Sequence, residues 1–181
     1  DPTSSLESLQ GYYIFIDATA IDDLTGNSYS GIGNSSSSLN FSVADLLSPM
    51  LASSSPADDA TGVAVNSNIV LTFNENVQAG TGNITLFKSD NTQVEVFDVT
   101  TDVTISGATV TLDPASDLDS LQGYYVQVAS TAVQDTSNNA YAGISDTTTL
   151  SFTAADIAAP TLASSSPADD ATGVAPSSNL T

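Results

Sequence analysis

The side chains able to do chemistry in this chain are carboxylates and carboxamides. It carries 18 Asp and three Glu (Glu7, Glu75 and Glu95) against a single cation, Lys88, and has no Arg, His, Cys or Trp. Two stretches bring acids and amides together: 74–81, with Glu75 and Asn76, and 129–147, with Asp135 and Asn139. Calcium takes about six to eight oxygens from carboxylates, amides, backbone carbonyls and water, and needs no nitrogen or sulfur ligand. A net charge of −20 adds a general attraction for cations. The expected chemistry is therefore calcium binding, although no stretch follows the twelve-residue spacing of an EF-hand.

Other chemistries lack their parts. Without His or Cys there is no usual general base, thiol nucleophile or tetrahedral zinc site. Ser53 to Ser55 have no base to activate them and read as loop. Carboxylate pairs could serve glycoside hydrolysis, but among 18 scattered Asp such pairs arise by chance. No catalytic residue and no organic-cofactor site is expected. With one Lys and no Arg nothing neutralises phosphates, so nucleic acid is not an expected partner. Membrane insertion is not expected either, because no apolar run approaches roughly 18 residues.

The elements that must position these oxygens follow from composition. Ser and Thr make 50 of the 181 residues, while strong helix formers are scarce. Val, Ile, Thr, Tyr and Phe favour strands, and Asp, Asn, Ser and Gly favour turns. With 40% hydrophobic residues a core is available, so the expected class is all-β.

An internal repeat then sets the domain plan. Leu6-Glu-Ser-Leu-Gln-Gly-Tyr-Tyr13 returns as Leu118-Asp-Ser-Leu-Gln-Gly-Tyr-Tyr125, and the fourteen residues Leu51 to Ala64 return unchanged as Leu162 to Ala175. The offsets, 112 and 111, differ by one residue, a slip placed in the Ser-rich stretch 33–38. Residues 1–47 read as the C-terminal part of one repeat, 48–158 as a complete repeat, and 159–181 as the N-terminal part of the next. The sequence starts at Asp1 and a signal-peptide pattern is not read there, so the expectation is a fragment or processed product, a window of a longer tandem array.

Within 48–158, alternation marks strands around Ile69 to Phe73, Asn83 to Lys88, Gln93 to Val99, Val103 to Leu112 (turning at Ser106-Gly107), Tyr124 to Val128 and Leu150 to Phe152. One or two more around Met50 to Val65 make seven to nine short strands, the spacing of an immunoglobulin-like Greek-key β-sandwich. Leu118 with Tyr124, and Leu6 with Tyr12, resemble the tyrosine corner of such sandwiches. Successive loops of a sandwich alternate between its poles. Glu75, Asn76, Asp135 and Asn139 are then expected at the pole where the linker enters. Asp45 of the linker would join them, with Asp1 or Glu7 of the preceding repeat. The next junction would use Asp156, with Asp113, Asp117, Asp119, Asp58 and Asp59.

The motifs Pro49-x-Leu51, Ser55-Pro56-x-Asp58-x-x-x-Gly62-Val63, Leu71-Thr-Phe73-Asn-Glu75-Asn-Val77 and Val133-Gln-Asp135-x-x-Asn-Asn139 together resemble the bacterial Ig-like domain of S-layer proteins and large repetitive adhesins. One departure is Asn138, where the family usually has Gly; the earlier copy has Gly26-Asn27. The resemblance implies a non-enzymatic extender or adhesion module on the bacterial cell surface, often stabilised by calcium. Expected partners are neighbouring repeats or copies of the chain itself. The absence of Cys suits a fold that relies on packing and metal rather than disulfides. Two rival readings are a glycan-binding module, for which Tyr13, Phe15 and Tyr125 are the candidate platforms, and an accessory domain of a secreted enzyme.

Overall fold

The computed structural model describes residues 2–33 and 39–181, and there is no helix among them. Strands β1 (Gly11–Ile14) and β2 (Leu39–Ser42) pair antiparallel as a sheet of two. A four-stranded sheet follows in the order β3 (Leu51–Ser55), β5 (Ile69–Phe73), β10 (Thr109–Leu112), β9 (Val103–Ser106). The five-stranded sheet runs β4 (Ala60–Val63), β13 (Ser151–Ala154), β11 (Gly123–Val128), β7 (Asn83–Lys88), β8 (Gln93–Asp98). A short pair, β6 (Val77–Ala79) with β12 (Val133–Asp135), stands apart from both.

The larger sheets form because their inward positions are apolar at every second residue. Ile69, Leu71 and Phe73 of β5 and Val110 and Leu112 of β10 pack against Ile84 and Leu86 of β7 and Tyr124, Val126 and Val128 of β11. Fully burying such a side chain contributes about 1.5–3 kcal/mol, so this β-sandwich core is what fixes the loops around it. The β9–β10 hairpin turns at Gly107, whose φ of +57° suits glycine. The β7–β8 hairpin turns at Asn91, φ +68°, with Asp90 Oδ1 accepting the Thr92 N–H at 2.9 Å.

Eleven strands lie within 51–154, more than the seven to nine expected. The excess over nine is β6 and β12, which are three residues each and carry no run of apolar alternation. The sequence stretches 74–81 and 129–147 are thus not plain loops, because each contributes one strand to the small β6–β12 sheet.

Local geometry recurs with the sequence repeat. Tyr12 pairs with Phe41 as Tyr124 pairs with Phe152, and both ring pairs stack at 5.7 Å. Leu9 and Leu121 share a φ of 58°. No strand occurs in 159–181, yet Ser166 and Thr181 exchange two backbone hydrogen bonds at the positions equivalent to the β3–β5 partners Ser55 and Val70. The 34–38 part of the Ser-rich slip and residue Asp1 lie outside the described residues.

Candidate metal centre

The β6–β12 pair assembles the acidic site. Asp135 is the register partner of Val77, which places Glu75, two residues earlier, beside it. The linker then delivers Asp45. Carboxylate oxygens of Asp45, Glu75 and Asp135 lie within 4.8 Å of one another. Among the described residues this is the only such group of three, and its members come from the linker, the β5–β6 bend and β12.

Each ligand candidate is held by its own neighbours. Asp135 is 1% exposed. Its Oδ1 accepts the N–H groups of Ser137 and Asn139, both at 2.8 Å, and its Oδ2 accepts Asn139 Nδ2 at 2.7 Å. Burial works against its charge, but the bonds from the Asn139 side chain and from the N–H groups of Asn139, Ser137 and Asn138 outweigh it and hold the carboxyl below the ordinary range. Asn139 Nδ2 also reaches the Asp45 carbonyl at 3.2 Å, tying the linker to the loop. Asn138, at φ +70°, takes the left-handed place that Gly26 holds in the earlier copy. Asn tolerates that conformation, which answers the departure seen in the sequence.

Glu75 is the strained member. Burial first, then the charges of Asp135 and Asp45, push its pKa above the usual carboxylate value. Two unit charges at such separations repel by about 1 kcal/mol in water and roughly 3–4 kcal/mol at an effective dielectric of 20. No cationic side chain relieves this, because Lys88, the only Lys or Arg, is paired with Asp119 at 2.6 Å. A hard divalent cation would take these oxygens and convert the repulsion to attraction.

Four of the residues expected at this pole, Asp45, Glu75, Asp135 and Asn139, are brought together. Asn76, also expected here, goes elsewhere. Its side-chain oxygen lies beside Gly107 of the β9–β10 turn, since consecutive residues of an extended chain diverge. Asp156 is expected not here but at the next junction, and there its Oδ1 accepts the Ser120 hydroxyl and the Ala158 N–H. The residues expected to join it do not form a carboxylate group there. Asp58 and Asp59 cap Ser151 at the start of β13, and Asp119 holds Lys88. Lys88 is thus a partnered strand end rather than a bare one. Glu7 contributes its N–H to Tyr12 Oη at 2.9 Å, as Asp119 does to Tyr124 Oη at 2.7 Å, which is the tyrosine-corner bond in both copies.

Tyr125, a candidate glycan platform, is 5% exposed. Phe87 stacks on it at 5.1 Å and Asn91 bonds its hydroxyl, so its ring is not an open platform. Sequence reasoning missed Asn74, which clamps the end of the linker by accepting the Met50 N–H at 2.7 Å and donating its own N–H to the Met50 carbonyl. It also missed Ser8, whose hydroxyl meets Asp45. The recurrence of Ser8 as Ser120, inside the repeated octapeptide, was the available signal.

Among solved structures, CopC from Methylosinus trichosporium OB3b is similar at 14% identity with a TM-score of 0.41, over 62% of this chain and 99% of that one. None of the curated proteins compared with the chain matches it. A family model described as "Bacterial Ig-like domain" matches residues 45–154.

Proposed function

We propose a structural role for this chain, which belongs to the bacterial Ig-like domain family: it is a non-enzymatic extender built from tandem Greek-key repeats, in a secreted adhesin or extracellular filament, and calcium stiffens its repeat junctions. The observation that carries this reading is the convergence of Asp45, Glu75 and Asp135 within 4.8 Å at the point where linker meets domain. A site inside a single domain would stabilise that domain. A site that includes the linker residue also restricts how one repeat follows another. Partners are then neighbouring repeats, and the location is the bacterial cell surface or extracellular space, where calcium is abundant.

Calorimetric titration and melting of the whole chain test this. Calcium binding only to the folded joint adds RT ln(1 + [L]/Kd), about 2.7 kcal/mol at a hundredfold excess over Kd. Millimolar calcium should raise the melting temperature and chelator should reverse the rise. Asp135→Ala and Glu75→Ala should abolish most of the response, while Asp90→Ala in the β7–β8 turn should leave it intact. A titration without heat and a melting curve indifferent to calcium would refute the cation role.

A further inference from the structure

We propose that Ser8 and Ser120 are joint-setting residues, whose hydroxyls clasp the aspartate of the following linker and fix the direction in which the next repeat leaves. The proposal rests on the tandem-repeat part of the reading above and not on the metal. Ser8 Oγ lies 3.1 Å from Asp45 Oδ1 and 3.3 Å from the Ala44 carbonyl, and accepts the Leu46 N–H at 3.0 Å. Asp45 Oδ1 in turn accepts the Leu47 N–H at 3.1 Å. At the other linker, Ser120 Oγ donates to Asp156 Oδ1 at 3.3 Å and accepts the Ile157 N–H at 3.0 Å, while Asp156 Oδ1 accepts the Ala158 N–H at 2.9 Å. The same clasp forms although the residues after the aspartate differ, Leu46-Leu47 in one case and Ile157-Ala158 in the other.

These are tertiary bonds. Serine usually satisfies itself on backbone two or three residues away, whereas Ser8 reaches across 37 residues and Ser120 across 36. The serine itself is anchored. Tyr12 and Tyr124 hold the N–H of the residue just before it, and the left-handed Leu9 and Leu121 follow it. A chain of fixed contacts therefore runs from the stacked Tyr124–Phe152 rings through the arch to the linker. On the far side Asn139 holds the Asp45 carbonyl and Asn74 holds Met50, with Pro49 buried between them. The linker is clamped at both ends, and only a few residues between retain torsional freedom.

The absence of cysteine makes the test direct. Spin labels on a Ser30→Cys/Gln93→Cys variant of the full chain report the distance across the joint, measured in chelator so that no cation contributes. The expected result is one narrow distance distribution, at least twofold broader with Ser8→Ala, restored by Ser8→Thr, and unchanged by Ser42→Ala on the same small sheet. Independently, Ser120→Ala should speed amide exchange at Ile157 about tenfold, the order of one lost hydrogen bond. A broad distribution in the parent, or Ser8→Ala and Ser120→Ala variants that leave width and exchange unchanged, would overturn the proposal. Calcium titration of the same samples separates the two readings. A clasp effect without calcium binding removes only the cation, and calcium binding without a clasp effect removes only the clasp.

Discussion

At Tyr124 one side chain does two jobs: its ring stacks on Phe152 inside the core, and its oxygen accepts the Asp119 N–H at 2.7 Å. Tyr124→Phe keeps the ring and leaves that N–H without its partner, a loss of about 1–3 kcal/mol. For a domain of this size the melting temperature should drop roughly 4–8 °C per kcal/mol, read by calorimetry; an unchanged midpoint would show that the bond does not hold the arch. Asp146 acts through charge instead. Its oxygens accept the Thr149 hydroxyl and the N–H groups of Thr148 and Thr149, and its carboxyl sits at about 2 rather than 3.8. A folded-state value below the unfolded one stabilises the fold above about pH 4, and the contribution is lost as pH falls through about 2. Melting temperature against pH should therefore fall less steeply over that window in Asp146→Ala than in the parent. Glu75 has the opposite sign. Its raised value means that, without a cation, its contribution declines as pH rises from 4.5 through the folded-state value.

At the scale of elements, close backbone approaches decide more than propensity. The Val128–Ile144 bridge brings Gly143 against β11, where an added Cβ would sit 2.5 Å from the Val128 carbonyl oxygen and 2.9 Å from Ser130 Cα, at φ +83°. Neither backbone can give way easily, so Gly143→Ala should cost on the order of 3 kcal/mol from clash and left-handed strain together. Urea unfolding would measure it, and a loss below about 1 kcal/mol would mean that the bridge opens without consequence. The core strands were legible in the sequence because burial enforces a period of two: Ile69, Leu71 and Phe73 announce β5 unaided. β6 and β12 were not legible, since each is three residues long and exists only by pairing with the other, 56 positions apart. The same non-local pair is why Glu75 and Asp135 could be matched only through the expected pole, and why Asn76 was grouped with them when its side chain turns aside. Alternation along β11 separates Tyr125 from its core neighbours Tyr124 and Val126 but says nothing of Phe87, which stacks on it.

Across the whole molecule the two related sheets differ in what covers them. Leu39 and Phe41 are 44% and 43% exposed, while their counterparts Leu150 and Phe152 are 1% and 3% exposed. Ile14 and Tyr29 are also exposed, while Val126 and Tyr141 are buried. The sequences and pairings match, so the difference is the facing sheet: β5 and β10 roof β11 and β13, and nothing equivalent roofs β1 and β2 among the described residues. Apolar side chains that would each contribute about 1.5–3 kcal/mol when fully buried contribute only part of that here. A two-stranded sheet without a packed face is marginal in water. β1 and β2 should therefore open locally at a lower free energy than the global unfolding of 51–154, in the way that sparsely packed segments do, with the closed form remaining the majority that spin labels report. Amide exchange should show β1 and β2 far less protected than β11 and β13. Joining a copy of residues 48–112 ahead of residue 1 supplies the counterparts of Ile69, Leu71, Val110 and Leu112, and should lift β1 and β2 to the protection of β11 and β13. Equal protection in the original chain, or no gain in the extended one, would show that the small sheet is stabilised by something other than the core its sequence matches.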